Sequence, residues 1–216
     1  MASTALRPLR EDFARRFIRC AAGLAMFGTG IALFVESHLG VPPWDVFHQG
    51  IEQITGLPLG TNIVIVSFGV LLLWIPLRIR PGLGTLMNAV QIGLVENVAQ
   101  ERLPSPGSPV VKVIFLALGM LAIAFGSGLY IGAELGSGPR DGLMLGINAR
   151  FGISIRAART AVEVTVMLVG LALGGTVGLG TFVFALGIGP LVQVTLGLFR
   201  MSPSQRAAAE GEALEG

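Results

Sequence analysis

The residues best placed to do chemistry are two aspartates in matched settings. Asp45 ends the stretch Leu39-Gly40-Val41-Pro42-Pro43-Trp44-Asp45, and Asp141 ends Leu135-Gly136-Ser137-Gly138-Pro139-Arg140-Asp141. Pro43 and Pro139 suit the first position of a helix, where a missing N–H costs nothing. Each carboxylate then falls in the first turn, near free N–H groups and the positive end of the helix dipole. It either satisfies its own helix or, at bilayer depth, binds a cation or carries protons. Ser137 is placed to cap the second helix.

His48 and Glu52 follow Asp45 by three and seven residues and share its helical face. Asp, His and Glu at this spacing suit a metal site or a proton relay. The same face after Asp141 carries Met144 and Asn148, so the set is not repeated, and a polar stripe at the membrane interface is the simpler reading. Arg140 lies in a first turn, where its charge opposes the dipole, so it needs a partner. Asp141, a lipid phosphate or an anionic substrate held at the helix ends would each serve. Trp44, at the corresponding place, reads as an interfacial anchor or a packing residue. Gln91 and Glu96 are candidates for lining a cavity, with Gln193 at the matching stretch. Glu36 and Glu134 suit exposed interfaces, and Arg159 and Glu163 suit a helix pair.

These residues belong to two copies of one unit. At a constant offset of 96 residues, Gly50-Ile51 matches Gly146-Ile147, Gly56 matches Gly152, and Gly82-Leu83-Gly84-Thr85 matches Gly178-Leu179-Gly180-Thr181. Gly56 and Gly152 are set to end the helices that Pro43 and Pro139 begin, with Pro58 reinforcing the first stop. Each helix is then about 13 residues, or roughly 20 Å, against a hydrocarbon core of about 30 Å. A re-entrant or tilted half-helix is predicted in each copy.

The surroundings are those of a membrane protein. Hydrophobic residues make up 52% of the chain and charged ones 13%, where a soluble domain carries about a quarter. The run Phe17–Val35 is longer than the apolar part of a signal peptide and has its counterpart at Val113–Ile131, so it is read as a retained helix. Further spans are expected at Gly60–Leu77, Leu83–Gln100, Thr160–Val177 and Thr181–Phe199. Glycine sets at 128, 132, 136 and at 170, 174, 178 suggest smooth helix faces for close packing. The expected division is a basic segment 1–16, a membrane repeat 17–100, a linker 101–109, a second repeat 110–199 and a disordered tail 200–216.

Placing arginines inside puts both termini in the cytoplasm and the linker outside. Each copy then has three spans and one re-entrant helix. That odd number inverts the second copy relative to the first. The fold expected is an all-α polytopic membrane protein of two inverted repeats, a pattern of transporters and channels with a midplane site between the repeats.

The paired element, carried by Gly40, Pro43, Asp45, Gly50, Ile51 and Gly56 and by Gly136, Pro139, Asp141, Gly146, Ile147 and Gly152, resembles the YczE/YitT group of bacterial integral membrane proteins, on its YczE side. The resemblance covers nearly all of 17–199. It implies a bacterial inner-membrane location and no substrate. The soluble C-terminal domain of YitT-type members has no counterpart in this sequence.

The function expected is movement of a small solute or ion, with Asp45, Asp141, Arg140, His48, Glu96 and Gln91 as its binding residues. The alternative is a membrane scaffold or regulator whose arginine-rich inner face docks a partner protein. A single cysteine, Cys20, excludes an intrachain disulfide and a cysteine-rich metal site. No hydrolase, nucleotide or zinc motif is present, so no enzyme activity, cofactor, metal or nucleic-acid partner is expected. Partners are the lipid bilayer, the solute and, as an option, further copies of the chain.

Overall fold

The computed structural model describes residues 13–199. The first twelve residues of the basic segment and the tail 200–216 lie outside the described residues. Among the described residues the fold is all-helical, in two consecutive sets of four. The first set is α1 (Phe13–Glu36), α2 (Pro43–Thr55), α3 (Leu59–Leu77) and α4 (Leu83–Gln100). The second is α5 (Pro109–Ile131), α6 (Pro139–Phe151), α7 (Ile155–Ala172) and α8 (Leu179–Leu198).

The duplicated blocks set these boundaries. Pro43 and Pro139 open α2 and α6, both 13 residues long. Gly56 and Gly152 close them in the left-handed conformation, at φ 69° and 68°. There a glycine avoids the Cβ clash that any other residue meets. Ser137 is not the cap of α6. That place falls to Gly138, whose missing side chain makes no capping bond, and the Ser137 carbonyl instead accepts from Thr85 Oγ1 at 2.7 Å.

Four helices, α1, α3, α5 and α8, are long and apolar enough to cross a membrane. The expected spans α4 and α7 fall outside that group. Asn88, Gln91, Glu96 and Asn97 make α4 polar, and α7 carries Arg156, Arg159 and Glu163.

The two sets hold each other. α1 and α5 run antiparallel, with Gly23 against Gly126 and Gly30 against Gly119, so that their backbones meet. A Cβ at Gly23 would lie 2.7 Å from the Gly126 carbonyl, and one at Gly30 would lie 2.8 Å from that of Gly119. These four glycines make the smooth contact between α1 and α5, and of the expected sets Gly170 makes a similar one between α7 and α2, while Gly128 admits Thr195 of α8. α5 ends at Ile131 and α7 at Ala172, so Gly136, Gly174 and Gly178 lie in connections rather than on a helix face.

Two further contacts tie one set to the other. The Gly180 N–H donates to the Leu39 carbonyl at 2.7 Å, and the Gly84 N–H donates to that of Leu135 at 2.8 Å. Each Leu-Gly block thus docks on the Gly-Leu-Gly-Thr helix start of the other copy. His38 and Glu134, equivalent residues just before those blocks, share a positive φ of 53° and 55°. The core between the sets buries Leu24, Ile31, Phe34, Ile63, Ile123 and Leu135.

Candidate functional site

The amino ends of α2 and α6 meet. The Arg140 guanidinium lies 4.8 Å from the centre of the Trp44 ring, and its Nη2 is 4.0 Å from Asp45 Oδ1. Positions 44 and 140 are equivalents in the two copies, so the contact joins one helix start to its own counterpart. A cation over an indole face in a desolvated place contributes about 2 kcal/mol. The charge that opposes its own helix dipole is therefore answered from the other copy. Trp44 is buried beneath it instead of anchoring an interface.

Asp45 is only 1% exposed and does not cap its helix. The His48 Nδ1–H donates to its Oδ1 at 2.9 Å, and His48 is itself fully buried. The expected interfacial stripe is thus an interior pair, because α3 and α7 both pack on α2 and close that face. Glu52, one turn on, is partly exposed. Among the described residues no three His, Cys, Asp or Glu side chains gather to hold a metal ion.

Asp141 has a different setting. It is exposed, and Tyr130 donates its hydroxyl to Asp141 Oδ2 at 2.8 Å. Tyr130, Asp141 and the Asn88 amide surround Gly138. Tyr130 is the single tyrosine of the chain and escaped the sequence reading, since nothing in its spacing links it to the aspartate eleven residues on.

Glu96 on α4 is fully buried, and neither carboxylate oxygen has a hydrogen-bond partner. It lies against Gly60, where α3 and α4 meet backbone to backbone at Gly60 and Gly93. The Gly60 N–H beside it is donated to Asn97 Oδ1 at 2.9 Å, and Asn97 Nδ2 donates to Thr61 Oγ1 at 3.1 Å. Asp45 and Glu52 on α2 and Glu36 on α1 act on Glu96 electrostatically. His48 Nε2 and Asn62 Oδ1 are further buried atoms without a partner.

The other candidates have partners elsewhere in the fold. Gln91 Nε2 donates to the Ala21 carbonyl at 2.7 Å and ties α4 to α1. Glu36 is buried rather than exposed, and Ser105 of the linker donates to its Oε2 at 3.3 Å. Arg159 and Glu163 pair at 3.0 Å across one turn, as expected. Two open concavities lie at the periphery, one beside Pro109 and Val113 and one of about 620 Å³ beside Arg15, Arg19 and Phe199. Neither is lined by the helix-end residues. Trp44 and Arg140 meet where a site between the repeats was expected.

Residues 14–196 match the model of a family described as "Family of unknown function (DUF6198)". The chain belongs to this family. It is 43% identical over 180 residues to an uncharacterized protein of Haemophilus influenzae, covering 83% of each chain. It is 32% identical over 190 residues to the uncharacterized membrane protein YczE of Bacillus subtilis, covering 87% of this chain and 88% of that one. A second Bacillus subtilis protein, YyaS, is 26% identical over 175 residues, 77% of this chain and 85% of its own. No solved structure matches the chain. With its apolar helices, the kinship to YczE makes this a membrane protein.

Proposed function

We propose that the protein is a small-solute transporter or channel of the bacterial inner membrane, built from two inverted repeats with both termini in the cytoplasm. Its site lies where α2 and α6 point their amino ends at each other. Asp45 serves a cation or proton there, Asp141 does so from the rim, and Arg140 favours an anionic group. One observation carries this reading: Arg140 of one copy rests on Trp44 and faces Asp45 of the other. The antiparallel contact of α1 with α5, in which Gly23 faces the equivalent of Gly30 and Gly30 faces the equivalent of Gly23, supports the inversion. Short helices with their positive ends at the middle of such a pair suit charged cargo.

The test is leak from sealed proteoliposomes under gradients of small salts and neutral solutes, followed by light scattering. Flux above that of protein-free vesicles, abolished in Asp45→Asn, supports transport. Flux unchanged in Asp45→Asn removes the role of that carboxylate. The stacking of Arg140 on Trp44 between the helix ends favours a second reading, a membrane scaffold acting on a partner protein. That reading stands if no solute moves and a partner crosslinks to the cytoplasmic face whether or not solute is present.

A further inference from the structure

Glu96 is the feature that packing alone does not explain. Its counterpart in the second copy is Val192, an apolar residue, so the framework does not require a carboxyl at this place. The side chain is fully buried and both oxygens lack partners. An ionised carboxylate so placed is costly, because the backbone donor beside it, the Gly60 N–H, is already given to Asn97 and does little to replace the lost water. The neighbours worsen that cost. The charged groups acting on it are carboxylates, Asp45 and Glu52 from α2 and Glu36 from α1. From α3 come Gly60, whose N–H is committed to Asn97, and Thr61, which accepts from the same amide. A hard metal cation needs several oxygen ligands, and no three His, Cys, Asp or Glu side chains gather among the described residues. A proton needs only one.

We propose that Glu96 is a proton-binding site of the permeation path, neutral while α3 and α4 are closed over it and exchanging its proton with water when they part. The step balances simply: the O–H bond of the carboxyl breaks, and the proton passes to a water admitted between the helices. The place for that motion is the Gly60–Gly93 contact, which holds the two backbones together directly over the carboxyl. The assignment rests on the transport reading above and adds to it the identity of the coupling ion.

Infrared spectroscopy of the full chain in lipid nanodiscs at neutral pH reads the protonation state without any substrate. The expected result is a carboxylic-acid C=O band that shifts down in deuterium oxide, persists in Asp45→Asn and is lost in Glu96→Gln. No such band in the parent protein, or a band retained in Glu96→Gln, overturns the assignment. Glutamine copies the shape of a neutral carboxyl, so Glu96→Gln must fold and melt no lower than the parent, and a lower melting point also overturns it. A missing band beside Asp45-dependent flux sinks Glu96 and spares transport. The Glu96-dependent band with no flux of any solute sinks the transport reading instead.

Discussion

Within the first copy α3 and α4 are sealed together; within the second, α7 and α8 have no such seal. Gly60 and Gly93 bring the first pair into backbone contact, and Asn97 bridges it to Thr61. The equivalents are Arg156, Gly189, Gln193 and Ala157. Arg156 forbids a close approach, and a Cβ at Gly189 would meet open space. A similar divergence marks the contacts across the copies. Trp74 of α3 holds α6 at a distance, filling the place beside Gly142 and donating from Nε1 to the Pro139 carbonyl at 3.0 Å. Its equivalent, Gly170, lets α7 touch the backbone of α2 at Val46 and Phe47. One framework thus serves two ends. The copies share their boundaries and docking bonds, while the buried ionisable groups Asp45, His48 and Glu96 gather around the first.

That contrast can be broken at several points. The largest effect is expected at the sealed pair. Gly93→Val pushes against the Gly60 carbonyl and should cost about 3 kcal/mol in unfolding experiments in detergent. Gly189→Ala, its counterpart, should be neutral or gain up to about 1 kcal/mol from helix propensity. Equal losses at both sites would mean that α7 and α8 are sealed as well.

Next in size is Asp45→Ala, which strands His48 and Arg140 together and should cost about 2 kcal/mol. Trp74→Phe keeps the bulk between α3 and α6 but loses the bond to Pro139, a loss of about 1 kcal/mol by thermal melting. The smallest change is expected for Asp141→Asn. Its amide oxygen still accepts from Tyr130, so stability should move by less than about 0.5 kcal/mol. An Asp141→Asn loss as large as that of Asp45→Ala would make the two aspartates equals and remove the asymmetry.

The framework was legible in the sequence because proline, glycine and apolar runs act locally. The bounds of α2 and α6 follow from Pro43, Gly56, Pro139 and Gly152 alone. The connection between α4 and α5 is 101–108, one residue shorter than the expected linker because Pro109 opens α5. What escaped was long-range. The Leu-Gly and Gly-Leu-Gly-Thr blocks were visible as repeats, yet nothing local shows that each docks on the other copy's partner block. Their shared register was the available clue. Trp44 reads as an interfacial anchor or a packing residue and Arg140 as a charge in need of a partner, and only the fold stacks the one on the other. His48 reads as part of a polar stripe at the membrane interface because the helices that bury it, α3 and α7, come from different copies. Glu96 was singled out as a polar residue on a weak span, but the lack of a partner is a property of packing.

The central claim is that equivalent parts of the two copies face opposite sides of the membrane. Leu57 and Ile153, 40% and 44% exposed, follow the closing glycines of α2 and α6 at matching positions. Each is replaced singly by cysteine in a Cys20→Ser background and treated in intact cells with an impermeant thiol reagent. The account predicts that Leu57→Cys reacts from outside and that Ile153→Cys reacts only after lysis. Labelling of both from the same side would contradict it.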